Sequence, residues 1–376
     1  MEKPKIYTWY LPQFHCIPEN DAFWGKGFTD WETVKRAKPL YKNHHQPKVP
    51  LGGEYYDLSK VEAIKAQARM ARENGVAGFG IYHYWFNTEK NLLTRPAEII
   101  LENPDIDIEY FFAWDNASWK RSWSNVYGND WAPVADQGIQ HRSGSGILIP
   151  YILGDKPEWE IHFNALKPYF ADPRYLKEAN KPVFVILQYD AEIAKMCEYW
   201  DELAKKEGYA GMSFIYKFSE QTRSLRETRR FVYEPIFSGW SSLPKIKLIW
   251  DKLLRILFQH NNMHVYTYDA VWKRILRNAQ KNSDSSVLFG GFVGYDDTPR
   301  RGLRGTLVRG ASPAKFEKYM RQLIDLCARQ GKPWLFLTAW NEWGEGAYLE
   351  PDNEFGGQYL DVVKRLTNTK LHESVV

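Results

Sequence analysis

Short runs of aromatic and β-branched residues recur along the whole chain, and helical patterns separate most of them. Eight of these runs have the length and composition of β-strands: Lys5–Tyr10, Gly78–Tyr84, Glu109–Trp114, Pro182–Gln188, Met212–Phe218, Phe231–Phe237, Val287–Val293 and Trp334–Ala339. Strands that alternate with helices form parallel sheets covered by helices. Eight of them in 376 residues predict an α/β protein with a single (β/α)8 TIM barrel and extended βα loops. An open, doubly wound sheet is the alternative.

Helical periodicity fills most of the segments between these strands. The clearest predicted helix is Leu58–Asn74, because Gly75 follows it as a C-cap. Six more helices are predicted: Arg95–Glu102, Glu158–Phe170, Ala191–Glu207, Lys245–Gln259, Tyr268–Gln280 and Ser312–Arg329. Two of them fall between strands 6 and 7, where a barrel needs one, so we expect an extra helix there. The barrel is expected to occupy residues 1–370, and residues 371–376 to form a frayed C-terminal tail.

Composition narrows the class of ligand. Aromatic residues make up 16% of the chain, and sugar rings present C–H faces that lie on aromatic faces, so carbohydrate is favoured. A net charge of +4 is too small to make nucleic acid the default partner. The three cysteines are far apart and predict neither a disulfide framework nor a zinc site. The pair His44-His45 lacks metal-ligand spacing and is expected at the surface, so we predict no metal and no cofactor.

Polar and aromatic side chains cluster where several predicted strands end. In a barrel these C-terminal ends meet on one face, where active sites lie, so we expect the clusters to form one cleft. Fifteen candidates for substrate binding follow strands 1, 2, 3, 7 and 8: Tyr10, His15, His83, Tyr84, Trp85, Trp114, Asp115, Asn116, Trp119, Tyr295, Asp296, Arg300, Trp340, Asn341 and Trp343. Gln188 ends strand 4 and is a further candidate. Core packing is the alternative for each aromatic residue.

Two glutamates, Glu342 and Glu345, follow strand 8 in the segment Trp-Asn-Glu-Trp-Gly-Glu-Gly. In a helical turn their Cβ atoms would lie about 5–6 Å apart, whereas an extended chain would separate them by roughly 10 Å. These values bracket the carboxyl separations used for retention, about 5–5.5 Å, and inversion, about 6.5–9.5 Å, in glycoside hydrolysis. Two close carboxylates repel, so one pKa should rise and a proton donor should coexist with a base. A solvated acidic turn is the alternative.

Several motifs resemble the WbsX-type proteins, a family related to the endo-α-1,2-mannosidases and mannanases of glycoside hydrolase family 99. They include Tyr10–His15, Gly27–Trp31, Gly80–Phe86, Gly294–Arg300 and the segment with both glutamates, and the resemblance covers nearly the whole chain. It implies a (β/α)8 barrel and an enzyme that acts on bacterial surface polysaccharide, such as O-antigen. It also adds Trp31 to the candidates for substrate binding.

The resemblance further implies a retaining mechanism on α-mannoside-like linkages. Glu342 matches the family glutamate that acts on the substrate 2-hydroxyl, whose oxygen then attacks the anomeric carbon to give a 1,2-anhydro sugar. Glu345 matches the general acid and base. One position departs from the family pattern: Ala117 stands where the family has glutamate, and Asp115 lies two residues earlier. If the family glutamate orients the substrate, this departure implies that the protein either binds a different sugar or uses Asp115 instead.

Two other functions remain open. In a glycosyltransferase or transglycosidase, a sugar hydroxyl would replace water as the acceptor. A non-catalytic glycan-binding barrel would keep the aromatic cleft without needing both glutamates. The pair Asp296-Asp297 with Arg300 is either a buried ion pair that closes the barrel or a set of ligands for sugar hydroxyls.

The cellular location is predicted from two sequence features that the chain does not show. The chain shows no signal-peptide pattern and no apolar run near the roughly 18 residues of a membrane span. We expect a cytoplasmic protein, with the inner face of the membrane as the alternative. Residues 245–260 combine apolar side chains with four cations and one acid. They predict a packed barrel helix or, alternatively, an interfacial helix in weak peripheral contact with anionic lipid.

Overall fold

A computed structural model of the protein describes residues 2–120, 146–243 and 263–368. It contains eight parallel strands: β1 Lys5–Tyr10, β2 Gly78–Asn87, β3 Glu109–Trp114, β4 Lys181–Ile186, β5 Ser213–Lys217, β6 Arg229–Phe231, β7 Val287–Phe292 and β8 Trp334–Thr338. Each strand pairs with its neighbours in chain order, and β1 pairs with both β2 and β8, which closes the sheet. The predicted (β/α)8 barrel is confirmed, and the open sheet was the wrong alternative.

Two strands end three or more residues away from the predicted position, whereas the ends of the other strands shift by two residues at most. β2 continues to Asn87 because its last residues form an antiparallel hairpin with Lys90–Leu92. β6 ends at Phe231 instead of Phe237. Pro235 has no amide hydrogen to offer a strand ladder, and the chain turns helically soon after it.

Aromatic side chains fill the interior of the barrel. Trp9 of β1 stacks on Phe336 of β8 with ring centroids 5.0 Å apart, and it contacts Phe231 of β6 at 4.8 Å. Gly80 of β2 makes room for this ring, since a Cβ there would lie 2.7 Å from Trp9. Tyr82 also stacks on Trp9, with ring centroids 6.3 Å apart. The barrel is therefore a packed core that closes below any ligand at its C-terminal end.

The described residues form ten α-helices: α1 Pro18–Trp24, α2 Asp30–Lys35, α3 Val61–Glu73, α4 Arg95–Glu102, α5 Lys156–Ala171, α6 Ala191–Lys206, α7 Tyr268–Lys281, α8 Thr298–Arg301, α9 Pro313–Arg329 and α10 Gln358–Asn368. The predicted helices in these ranges are confirmed with small shifts at their ends. α9 shows why they form: its buried Phe316, Met320 and Leu323 share one face. Helices α1, α2, α8 and α10 were not predicted.

One connection carries no helix. Residues 218–228, between β5 and β6, form turns in which the Thr222 hydroxyl donates to the carbonyl of Lys217. The predicted extra helix over Lys245–Gln259 and the tail at residues 371–376 lie outside the described residues. The membrane contact of residues 245–260 and the limits of the domain therefore stay predictions. None of the helices in the described ranges is long and apolar enough to cross a membrane.

Candidate active site

The two glutamates lie on a short hairpin that follows β8. Its strands are Asn341–Glu342 and Ala347–Tyr348, and the turn Trp343–Glu345 joins them. Gly346 closes this turn with φ 55°, a left-handed conformation that glycine adopts without steric cost. The hairpin therefore places both carboxyl groups at the C-terminal end of the barrel.

Buried hydrogen bonds fix the base of this hairpin. The Asn341 side chain accepts from the backbone N–H of Leu11 at 2.7 Å and donates to the carbonyl of the same residue at 3.0 Å. Because Leu11 follows β1, these two bonds tie the first and last strands together beneath the glutamates.

A second network supports the hairpin from behind. Glu350 accepts hydrogen bonds from the Trp343 indole at 2.7 Å, the Tyr56 hydroxyl at 2.8 Å and the Gln67 amide at 2.7 Å. Tyr10 in turn donates to Gln67 at 2.6 Å. Burial raises the pKa of Glu350 to about 7, although the donors oppose this shift. The network is buried and holds Trp343 in one orientation.

Arg300 joins three carboxylates at the centre of the site. Its Nη2 lies 2.8 Å from Asp30 Oδ2 and 3.3 Å from Glu342 Oε2, and its Nη1 lies 2.9 Å from Glu345 Oε1. The Arg300 side chain is 6% exposed and that of Asp30 is fully buried. One guanidinium therefore fixes the positions of both hairpin glutamates relative to each other.

Gly344 is required for this close approach. A Cβ at this position would lie 2.6 Å from both Arg300 Nε and Asp30 Oδ2. The glycine between the two glutamates therefore lets the arginine and its buried partner reach the back of the turn.

The two glutamates have different surroundings. The side chain of Glu342 is 6% exposed and that of Glu345 is 21% exposed. Burial, together with the charges of Glu345 and Asp30, raises the pKa of Glu342 well above its usual range, while Arg300 opposes the rise. The deeper carboxyl group therefore holds a proton closer to neutral pH and is a stronger base once ionised.

A cavity of about 950 Å³ opens in front of the hairpin. It contains seven of the predicted site residues: Tyr84, Asp115, Trp119, Gln188, Arg300, Glu342 and Glu345. Ala117, where the family pattern has glutamate, lines it too. This volume is at the upper end of ordinary small-molecule sites, which bind ligands mainly through apolar walls with a few polar groups.

Three tyrosines contribute to the cavity wall. The hydroxyls of Tyr82 and Tyr233 are 2.6 Å apart, and the Gln13 amide donates to the Tyr84 hydroxyl at 3.1 Å. All three tyrosines line the cavity. They supply hydrogen-bonding groups and aromatic faces next to the glutamates.

The wall across the cavity carries Asp115 after β3, Gln188 after β4 and Lys217 at the end of β5. Asn116 makes this wall rigid, because its side chain donates to the Gln188 carbonyl and accepts from the Gln188 N–H, both at 2.8 Å. Burial raises the pKa of Asp115 to about 6, and Lys217 opposes the rise. Burial also lowers the pKa of Lys217, and Asp115 opposes that shift.

Strand alternation separates the candidates on β2. Successive side chains of a strand point to opposite faces, so Tyr82 and Tyr84 face the cavity while His83 and Trp85 point outward. Trp85 stacks on His162 of α5 at 4.2 Å, and the Nε2 atoms of His83 and His162 are 2.8 Å apart. Burial lowers the pKa of His83 to about 3. These two candidates pack the sheet against its helices.

Several other candidates also lie outside the cavity, among packing or bracing residues. His15, Trp114 and Trp340 are buried, and Trp31 contacts Trp343 with centroids 5.6 Å apart. Tyr295 contacts Trp240 at 5.2 Å. The full set that does not line the cavity is Tyr10, His15, Trp31, His83, Trp85, Trp114, Asn116, Tyr295, Asp296, Trp340, Asn341 and Trp343. Large aromatic side chains near strand ends serve the core as readily as a ligand.

Asp296 and Arg300 do not pair with each other. Asp296 Oδ2 lies 2.7 Å from His44 Nε2 and accepts from the Gln46 amide at 2.8 Å. Burial alone would raise the pKa of Asp296, but these bonds and those from Thr298 lower it. The prediction that His44 lies at the surface was wrong, because Asp296 draws it into the fold; His45 remains exposed. The backbone N–H of Asp296 donates to the Glu345 carbonyl at 2.6 Å, which supports the hairpin.

Sequence reasoning missed several residues of the site, among them Gln13, Asp30, Tyr82, Lys217 and Tyr233. Tyr82 could have been found by alternation with Tyr84, and Lys217 is the one charged residue in the predicted strand Met212–Phe218. Nothing local marks Asp30 as the partner of an arginine far along the chain. Within the ranges described, no three His, Cys, Asp or Glu side chains are grouped so that they could hold a metal ion.

Three solved structures share this architecture. The family 99 endo-α-mannosidase of Bacteroides thetaiotaomicron in complex with bis-tris-propane gives a TM-score of 0.52 at 16% identity, covering 96% of this chain and 95% of that one. A second structure of this enzyme gives 0.51 at 15% identity, with the same coverage. A glycoside hydrolase-like protein gives 0.54 at 13% identity, covering 98% and 95% of the two chains. At these identities the likeness establishes the fold.

Sequence comparison identifies the family. Two relatives from Xanthomonas campestris pv. campestris, strains B100 and ATCC 33913, are described as uncharacterized protein WxcX and are 28% and 27% identical over 368 residues. The match covers 96% of this chain and 49% of each relative, so the chain spans about half their length. The profile of the family described as glycosyltransferase WbsX matches residues 6–363. The resemblance seen in the sequence motifs is confirmed: the chain belongs to the family described as glycosyltransferase WbsX, and it shares its barrel fold with the family 99 structures.

Proposed function

We propose that this protein breaks or exchanges α-mannoside-like linkages of a bacterial surface polysaccharide with retention of configuration. The observation that carries this proposal is the pair Glu342 and Glu345, fixed by Arg300 in the wall of a cavity large enough for an oligosaccharide. One carboxyl group is deep and the other is shallower, so the pair offers two different proton affinities next to one ligand.

In the first step the ionised Glu342 accepts the proton of the substrate 2-hydroxyl. The 2-oxygen attacks the anomeric carbon, and the bond from that carbon to the leaving oxygen breaks. Glu345 gives its proton to the leaving oxygen. The product of this step is a 1,2-anhydro sugar, and no bond forms between the sugar and the protein. The raised pKa of Glu342 makes its carboxylate a stronger base once it is ionised, and the reaction starts from the state of the pair in which Glu345 carries the proton.

In the second step Glu345 accepts a proton from the incoming acceptor, whose oxygen attacks the anomeric carbon. The bond from this carbon to the 2-oxygen breaks, and Glu342 returns its proton to that oxygen. Two inversions at one carbon give net retention. Glu345 is the more exposed of the two, which suits a group that meets first the leaving group and then the acceptor.

Arg300 prepares the pair without taking part in proton transfer. An arginine stays protonated throughout the pH range of the reaction, and here it donates to both glutamates and to Asp30. It keeps the carboxyl groups oriented while their charges change, which avoids reorganisation during the reaction.

Transfer is the second candidate function, and the family description favours it. It differs from hydrolysis in the second step alone, where a sugar hydroxyl takes the place of water. The same residues serve both reactions, so the choice depends on which acceptor the cavity admits.

The test is incubation of the protein with mannose- and rhamnose-containing oligosaccharides and with bacterial surface polysaccharides, followed by mass analysis of the products. Shorter glycans indicate hydrolysis and longer ones transfer, and NMR of the first product reports its anomeric configuration. The Glu342→Gln/Glu345→Gln double variant serves as the inactive control. Inverted products would overturn the mechanism. Binding without any product would support the non-catalytic glycan-binding barrel instead.

A further inference from the structure

Among the described residues, two groups of opposite charge face the cavity with only a longer-range attraction to each other. Asp115 and Lys217 line it, and neither side chain makes a hydrogen bond or an ion pair with any residue in the described ranges. Partly buried charges are costly unless they are paired or hydrogen-bonded. Charges kept in this state inside a cleft mark a site whose partner is a ligand.

Their place in the barrel puts them opposite the glutamates. β4 stands across the barrel from β8; of the two strands that flank β4, β3 is followed by Asp115 and β5 ends with Lys217. Glu342 and Glu345 follow β8 itself. A sugar ring in the cavity therefore has the glutamates on one side and the Asp115–Lys217 pair on the other.

The chemistry of a hexopyranose then fixes which of its atoms meet each wall. The anomeric carbon and the 2-oxygen must lie at the glutamates if the proposed reaction occurs. C4 and C5 are across the ring from these atoms, so the oxygens at C4 and C6 point toward the opposite wall. A carboxylate accepts a hydrogen bond from a hydroxyl, and an ammonium donates one.

We propose that Asp115 and Lys217 bind the 4- and 6-oxygens of the reacting sugar and thereby select a hexose that carries both. This inference rests on the proposed function, because that function fixes which edge of the sugar faces the glutamates. Asp115 accepts from one hydroxyl, and Lys217 donates to the neighbouring oxygen. The Asn116–Gln188 hydrogen bonds hold Asp115 in place for this contact. A 6-deoxy sugar loses one of the two oxygens, so the pair disfavours rhamnose-like substrates.

The test uses methyl α-D-mannopyranoside and its 4-deoxy and 6-deoxy analogues in ligand-observed NMR titrations. Hydrogen bonds to charged groups are worth about 1.5–3 kcal/mol, so the wild type should bind the parent roughly 10- to 100-fold more tightly than either analogue. Asp115→Asn and Lys217→Met should weaken binding of the parent and reduce this discrimination. Lys195→Met removes an exposed lysine on α6 and should leave binding unchanged.

The readouts separate this inference from the proposed function. Equal binding of parent and analogues by the wild type, or unchanged discrimination in both variants, would overturn the role of the pair and leave the glycosidic chemistry standing. Discrimination that depends on the pair, without turnover of any glycan, would support the sugar site and overturn the catalysis. If the wild type neither binds these glycosides nor acts on any glycan, both proposals fail. Thermal unfolding of each variant verifies that it is folded.

Discussion

The two walls of the cavity differ in how their charges are satisfied. On the side of β8, Arg300 contacts Asp30, Glu342 and Glu345, and the arginine and Asp30 are almost completely buried. On the opposite wall, Asp115 and Lys217 have no such partners among the described residues. The first wall is organised before any ligand arrives, whereas the second wall completes its hydrogen bonds when a ligand binds.

This difference assigns different tasks to the two walls. Groups that exchange protons must be held in position by the protein, because a misplaced carboxyl group loses most of its catalytic effect. Groups that recognise a ligand must instead leave their hydrogen-bonding capacity unused in the free protein. Substitutions on the two walls should therefore have opposite signatures: one set should lower turnover and the other should weaken binding.

The largest expected effect is on the glutamates themselves. Glu345→Gln keeps the shape of the side chain but removes the proton donor, and Glu342→Gln removes the base for the 2-hydroxyl. Each should lower kcat by about 10²–10⁴-fold while sugar binding persists. Initial rates and binding titrations on one confirmed substrate measure both quantities. Glu192→Gln, an exposed residue on α6, is the control; wild-type rates in the glutamine variants would show that the pair is structural.

The next effect tests the geometry of the organised wall. In Gly344→Ala the new methyl group would lie 2.6 Å from Arg300 Nε and Asp30 Oδ2, so the arginine must move. A displacement near 1 Å in such a site costs about 10²-fold in rate, and we expect this loss in kcat with smaller changes in binding. Gly357→Ala is the matched control, because nothing lies within 4 Å of a Cβ there. Similar rates in the two alanine variants would contradict the importance of the close approach.

The two walls also show how much of the fold and of the site could be predicted from the sequence. The barrel was predictable because strand and helix periodicities alternate, and the position of Glu342 followed from the end of β8. The candidates on β2 were predicted as one group, although Tyr84 faces the cavity and His83 and Trp85 point outward. The two-residue period of a strand would have distinguished them. The pairing of Asp30 with Arg300 depends on the closure of the whole barrel, and no local pattern encodes a contact across 270 positions.

A smaller effect is expected on the pH dependence of kcat/KM. Burial raises the pKa of Glu342, and the charges of Glu345 and Asp30 add to it. Asp30→Asn removes one of these negative charges, so Glu342 should release its proton at lower pH. The acid limb of the kcat/KM profile should then move toward lower pH, because the base is available earlier. Asp105→Asn, an exposed aspartate, should leave the profile unchanged. A limb that stays in place or moves upward would argue against Glu342 as the base.

The smallest effect is on the free energy of unfolding, and it concerns the wall that carries Asp115 and Lys217. Burial raises the pKa of Asp115 to about 6, above the value of about 3.9 of an unperturbed aspartate. The folded state therefore binds this proton more tightly than the unfolded state, and stability is lost as the pH rises from about 4 to 6. Asparagine carries no charge and avoids the loss, so Asp115→Asn should be more stable than the wild type by about 1–2 kcal/mol at pH 7.

Urea unfolding at pH 7 and near pH 3 measures this difference, which should nearly vanish at the lower pH because Asp115 is then mostly protonated in both states. On the organised wall the sign should be reversed: Asp30→Asn removes a charge that pairs with buried Arg300 and should lower stability at pH 7. If Asp115 is retained for ligand binding at a cost in stability, Asp115→Asn should be more stable than the wild type and should bind sugar more weakly. If Asp115→Asn is no more stable than the wild type at pH 7, its charge already has a partner in the free protein, and the contrast between the two walls fails.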